Sequence, residues 1–181
     1  MPWDLYHQFR EEYQLSDYDA SLLTVDAASA QAFLNLCALS KNAKAISNLL
    51  INKVLPYAQE NQLSPLEFPV ADQQLIAFLQ LIEAGKVSNT IAYQRLLPAL
   101  IDTPDKDPLA LAEALNILQS SDSNFLEGIA KEVLEAFPDK VATYKKGKKG
   151  LLGFFMGEVM KRSRGKADPK AANQILRDLL K

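Results

Sequence analysis

The sequence predicts an all-α fold in two parts, an acidic helical domain over residues 1–110 and a small, basic, three-helix-type tail domain over residues 111–181. Helical periodicity is the first observation behind this. Leu75, Phe78, Leu79 and Ile82 fall at i, i+3, i+4 and i+7, and no convincing set of alternating strands occurs. Charge is the second: residues 140–181 carry twelve Lys or Arg against three Asp or Glu, whereas residues 1–139 carry eight against nineteen. A formal net charge of −2 therefore hides two electrostatic objects, of −11 and +9. The third is IDTPDKDP, Ile101 to Pro108, whose prolines and aspartates mark a boundary region.

The elements follow in order. Trp3, Tyr6 and His7 sit on a first helix, and Ser16 or Asp17 caps a short second one running through Ala20 to Thr24. Asp26 starts the helix of Phe33, Leu34, Leu36 and Cys37. Asn42 to about Ala58 continues through Ile46, Leu49, Leu50, Val54 and Leu55. The two prolines of SPLEFPV, Ser64 to Val70, read as an extended connector. Gly85 stops the helix of Leu75 to Ile82, and Ser88 opens the next toward Leu100. Leu109 to Leu118 forms one helix. Asn124 with Glu127 resembles a capping box for a helix ending near Phe137, and Pro138 opens a short one reaching Tyr144. The last helix has Asp168 as cap and Pro169 in its first position, where a missing N–H costs nothing.

Composition excludes several classes of chemistry. With one cysteine and one histidine the chain supplies no Cys/His zinc cluster, and neither a phosphate-cradling G-x-x-x-x-G-K-[ST] loop nor a G-x-S-x-G elbow is present. Cys37 lies in the apolar run AFLNLCALS and reads as a structural thiol, and no orienting partner is suggested for His7. The expected catalytic and metal-ligating sets are therefore empty. No apolar stretch approaches the roughly 20 residues of a membrane span, and MPWDLYHQFREEY lacks the basic start and apolar middle of a signal peptide. A single cysteine with no disulfide framework fits a reducing, cytoplasmic location.

The informative segment is KKGKKGLLGFFMGEVMKRSRGKADP, Lys145 to Pro169. Placing Gly150 to Arg164 on a wheel at about 100° per residue puts Leu152, Phe155, Met156, Val159 and Met160 on a core stripe. Gly150, Gly153, Gly157, Lys161 and Arg164 share an arc of about 80° away from its centre. Interior helical glycines cost about 0.5–1 kcal/mol each relative to alanine, so something comes close to that face. Two readings stay open: another helix of the same domain packs there, or a sugar-phosphate backbone does while Lys161 and Arg164 neutralise phosphates. Phe154 flanks the arc, either as a stacking platform or as the edge of the core. Lys145, Lys146, Lys148 and Lys149 around Gly147, with Arg162, Lys166 and Lys170, extend one positive field that attracts a polyanion in a salt-dependent way. RNA is the leading candidate.

The same residues carry a family resemblance. Gly147-Lys148, Gly153-Phe154-Phe155-Met156-Gly157, Val159-Met160-Lys161, Gly165-Lys166-Ala167 and Pro169 resemble the tail domain of the B subunit of bacterial aspartyl/glutamyl-tRNA amidotransferase, a domain type shared by the free-standing YqeY proteins. Glu158 stands where the family often has Gln, Ser163 where Thr is usual, and Asp168 where Asn is usual. EEYQLSDYDASLLT, Glu11 to Thr24, is similar to the start of the helical domain in that B subunit, and LIEAGKVSNTIA, Leu81 to Ala92, to a later element of it. Free-standing YqeY proteins lack the first of these, so the resemblance favours a C-terminal piece of the B subunit.

The resemblance implies a non-catalytic fragment of a carbon–nitrogen ligase that takes its amide nitrogen from glutamine. The whole enzyme converts Glu-tRNA(Gln) or Asp-tRNA(Asn) to the amide. Its ATP and Mg chemistry lies in the N-terminal part of the B subunit, and this fragment is expected to hold no cofactor. The implied role is a tRNA-binding and positioning arm. Expected partners are tRNA(Gln) or tRNA(Asn), together with the small C subunit, and with the amidase A subunit, through the missing N-terminal part. One rival is a protein-interaction adaptor related to YqeY proteins, with a purely structural glycine helix. Another is a hydrolase built on scattered carboxylates such as Asp17 and Asp19.

Overall fold

The computed structural model describes residues 2–181, with side chains from residue 4 onward. Met1 and the side chain of Trp3 lie outside the described residues. The chain is all-α: among the described residues no strand forms, and the one β-bridge joins Ser120 to Ala167. Contact between elements groups it into two compact units that are discontinuous in sequence, unlike a single division after residue 110. One comprises residues 1–80 with 99–108, the other residues 81–98 with 109–181.

The first unit begins with α1 (Pro2–Glu11), α2 (Asp17–Leu23), α3 (Ala27–Leu39) and α4 (Ala43–Leu49). Three of these start on an oxygen that accepts a backbone N–H left orphaned by the first turn. Ser16 takes the amide of Asp19 at 3.1 Å, Asp26 that of Ser29 at 2.7 Å, and Asn42 that of Ala45 at 3.2 Å. Ser16, not Asp17, caps α2; the Asp17 carboxylate instead meets the Arg10 guanidinium and accepts from the Tyr6 hydroxyl at 3.2 Å. Phe9 and Phe33 are fully buried with ring centroids 4.5 Å apart, joined by Tyr13 edge-on.

A π-helical turn, Leu50–Val54, joins α4 to α5 (Leu55–Glu60). Its cause is Pro56, whose ring would strike the carbonyl of Asn52 four residues back in a regular α-helix; the wider turn makes room. The supposed extended connector after it holds a 3₁₀ turn, Pro65–Glu67, closed by a reciprocal capping box between Ser64 and Glu67. Proline at the first position and glutamate at the third favour that turn over extended backbone. α6 (Asp72–Glu83) follows, with Leu75, Ile76, Phe78 and Leu79 buried.

In the second unit, Ser88 caps α7 (Asn89–Ile91) by accepting the Ile91 amide at 3.4 Å. A second π turn, Ala92–Leu96, leads into α8 (Leu97–Asp102), whose residues from 99 on belong to the first unit, and Pro98 stands four residues after Gln94 as Pro56 does after Asn52. α9 (Pro108–Ala114) is shorter than its apolar run suggests, because Asn116 turns left-handed at φ 54° and ends it. Four tail helices follow: α10 (Ser123–Ala136), α11 (Pro138–Lys145), α12 (Leu151–Arg162) and α13 (Pro169–Leu179). Asp122, not Asn124, caps α10, accepting the Phe125 amide at 3.0 Å. α10, α12 and α13 pack on one another as the expected three-helix bundle, with α11 against α10 and α12. Leu126, Ala130, Val133, Phe155, Val159 and Leu176 form its core.

Candidate nucleic-acid interface

α12 carries the candidate site, and its core face is where the wheel puts it. Phe155 and Val159 are fully buried, with Leu152, Met156 and Met160 half-buried around them. The opposite face is open. A Cβ added at Gly150, Gly153 or Gly157 meets nothing within 4 Å, so no helix of the tail packs on the glycines. That removes the intradomain packing reading and leaves a bare, exposed backbone surface. Lys161 lies exposed at its C-terminal end.

The wheel misplaces Arg164 in one respect. α12 ends at Arg162, and Arg164 stands beyond it at φ 53° in a left-handed turn. Its amide donates to the Lys161 carbonyl at 3.1 Å, and that of Gly165 to Met160 at 2.9 Å, the paired bonds of a Schellman cap. Arg164 is exposed, but it lies past the end of the helix, so the helical period does not place it on the glycine arc. Arg162 lies about 140° around the helix from the middle of the glycine arc. Its guanidinium is 3.7 Å from Glu132 on α10, so it ties two helices together.

The lysine cluster divides in the same way. α11 ends in a second Schellman cap, with Gly147 at φ 113° and the Lys148 amide on the Thr143 carbonyl at 3.3 Å. Lys145, Lys146 and Lys148 are exposed, whereas the Lys149 ammonium lies 4.3 Å from the centroid of the buried Tyr144 ring. Phe154 is half-buried at the core edge, edge-on to Phe137 at 5.0 Å and to Phe155 at 5.7 Å. Lys140, absent from the sequence-derived set, has its ammonium 4.6 Å from the Phe154 centroid. It sits on a different helix, so no local spacing could have paired the two.

The loop after α12 is clipped from outside. Ser120 donates its amide to the Lys166 carbonyl at 2.5 Å and accepts that of Asp168 at 3.0 Å, while Gln119 donates to Lys86 at 2.7 Å. The buried Ser163 hydroxyl accepts the Ala167 amide at 3.2 Å. Gly165, at φ 79°, packs so closely that an added Cβ would lie 2.9 Å from Ile91 Cγ1. Half-buried Lys166 and exposed Lys170 are thereby held on a defined loop and on the first turn of α13, whose cap Asp168 takes the Ala171 amide at 2.8 Å. Among the described residues, Lys145, Lys146, Lys148, Lys161, Arg164, Lys166 and Lys170 have no carboxylate within ion-pair distance. Their charge is therefore left unneutralised at the surface.

Among the described residues, no group of three His, Cys, Asp or Glu is arranged to hold a metal ion and no single helix is long and apolar enough to cross a membrane. Burial raises the Cys37 thiol to about 11, which favours the inert protonated form.

Comparison with known proteins adds a relationship to this geometry. A family described as the GatB domain matches residues 31–180. The chain is 38% identical over 175 residues to the B subunit of the aspartyl/glutamyl-tRNA(Asn/Gln) amidotransferase of Parasynechococcus marenigrum, covering 97% of this chain and 35% of that protein. It is 36% identical over 181 residues to the protein of the same name in Synechococcus elongatus, covering 100% and 36%. For Chlorobium chlorochromatii the figures are 38% over 169 residues, covering 93% and 35%. The chain thus spans about a third of the length of the curated relatives it matches.

Proposed function

The chain belongs to the GatB domain family, and from that premise we propose that it is the tRNA-binding and positioning arm of a tRNA-dependent amidotransferase, without a catalytic centre of its own. The observation that carries this reading is the open glycine face of α12, with neighbouring cations that, among the described residues, have no carboxylate within ion-pair distance. A bare helix face lets a sugar-phosphate backbone approach nearer than any side chain would allow. Lys161 and Arg164 then meet phosphates at the edge of the approach, with Lys145, Lys146, Lys148, Lys166 and Lys170 giving longer-range attraction. Arg162, held by Glu132, contributes through the stability of the bundle as well as through its charge.

Folded RNA is recognised mainly through shape, phosphates and 2′-hydroxyls, which suits a rigid cationic surface better than a base-reading cleft. The arm's contribution to amidation is orientation: gripping the body of the tRNA restricts where its aminoacylated end can reach. ATP, Mg, and contacts with the amidase and the small third component of the enzyme belong to the remainder of the longer polypeptide in this reading.

Binding of the chain to tRNA(Gln), tRNA(Asn) and a non-substrate tRNA across a salt series tests the proposal. Salt-sensitive binding that favours the substrate tRNAs is expected. Absence of binding at low salt would leave a docking module as the better description.

A further inference from the structure

Two lysines of the tail lie over aromatic rings: Lys149 over Tyr144 and Lys140 over Phe154. Tyr144 is buried, so its ring is a fixed part of the core. Phe154 differs. It is half-buried on the flank of α12, about 20° beyond Lys161 and next to the open glycine face. Phe137 and Phe155 meet it edge to face, and Lys140 lies over the ring. Lys140 is exposed, and among the described residues it has no carboxylate within ion-pair distance.

We infer that Phe154 and Lys140 form one exchangeable nucleotide-binding unit. In the free protein the ammonium shields the ring; on binding, an unpaired nucleotide of a folded RNA takes the ring face, and Lys140 moves to its phosphate. This deepens the RNA-binding reading above and rests on it. An exposed cation–π contact is weak beside the stacking of a base on an aromatic ring, so the exchange runs toward the base. The displaced ammonium keeps an anionic partner, because every nucleotide brings a phosphate with its base. Paired bases in a duplex have their faces covered, so the unit selects loops and bulges over helical RNA.

The test compares the affinity of the whole chain for a tRNA transcript and for a blunt RNA duplex of equal phosphate count, at several salt concentrations, in Phe154→Leu, Lys140→Ala and the double variant. Phe154→Leu should weaken tRNA binding about tenfold and leave duplex binding unchanged. Lys140→Ala should weaken tRNA binding about threefold and flatten its salt dependence by about one phosphate contact. The double variant should lose less than the product of the single losses, as members of one unit do. Wild-type tRNA affinity in Phe154→Leu, or equal losses on both RNAs, overturns the exchange. If Phe154→Leu is shown by thermal unfolding to be misfolded, exposed Lys140 decides alone, and unchanged affinity and salt slope in Lys140→Ala overturn the proposal. Loss of tRNA binding in Lys161→Ala/Arg164→Ala with none in Phe154→Leu refutes only the exchange. A wild-type chain that binds neither RNA refutes the RNA reading and the exchange with it.

Discussion

Glycines in the tail separate into two kinds, and the difference lies in what surrounds each Cα. Gly153 and Gly157 have helical backbone and empty space where a Cβ would point, whereas Gly165 is left-handed and pressed against Ile91. Gly153→Ala and Gly157→Ala should therefore each stabilise the folded chain by about 0.5–1 kcal/mol in denaturant unfolding while lowering RNA affinity. Gly165→Ala should destabilise it by more than about 1 kcal/mol, from backbone strain plus the clash. Opposite signs at neighbouring glycines would show that the first two are kept for a partner and the third for the fold. Cys37 supplies a residue-scale pH test. Burial raises its pKa from 9.0 to about 11, so the protonated thiol is favoured in the native state. Its contribution to stability is fully present below pH 9 and is lost as pH rises through 11, where the folded thiol also ionises. Native alkylation at pH 8 should be slowed, by up to about a hundredfold in thiolate fraction, relative to urea-unfolded chain.

At the scale of elements, one terminating device recurs. The helices before Gly85, Gln62, Asn116, Gly147 and Arg164 each end with the amide of the left-handed residue bonded three back and the next amide bonded five back. Two of the five use glycine, for which a positive φ is free of Cβ strain. Gln62, Asn116 and Arg164 accept that strain. Gln62→Gly and Arg164→Gly should each stabilise the chain by roughly 0.5–1 kcal/mol in thermal unfolding, and Asn116→Gly by less, since asparagine tolerates the conformation. Only Arg164→Gly should also lose RNA affinity. A loss of stability in that variant would mean that the arginine serves the turn itself. The π turns have an equally local cause, each holding the carbonyl four residues before a helical proline.

For the whole molecule, the proposed RNA-binding role would make the charge division decide how RNA is approached. With an acidic majority that would repel phosphate and a basic end that would attract it, the orientation of a bound RNA would be biased before contact in that role. Replacing both Lys161 and Arg164 by Ala should lower tRNA affinity and reduce the slope of log K against log salt by about 1–2, with no change in the unfolding midpoint, because alanine keeps the Cβ strain of the left-handed position 164. Unchanged affinity would remove the glycine face from the interface.

Much of this was legible in the sequence because its causes are local. Ser16, Asp26, Asn42, Ser88 and Asp168 cap helices by reaching three residues along their own chain, and the glycine arc follows from helical spacing. Local rules failed where two local choices competed. Asp122, two residues earlier than Asn124, caps its helix by accepting the Phe125 amide, and Pro65 and Glu67 close a turn where extended chain was expected. The sequence by itself determined the all-α class, most helix starts, the charge division and the position of the bare face. Tertiary structure alone decided that this face stays open, that Arg162 belongs to Glu132, and that Lys140 covers Phe154. Those outcomes depend on which helix lies beside α12, and periodicity within one helix carries no information about its neighbours.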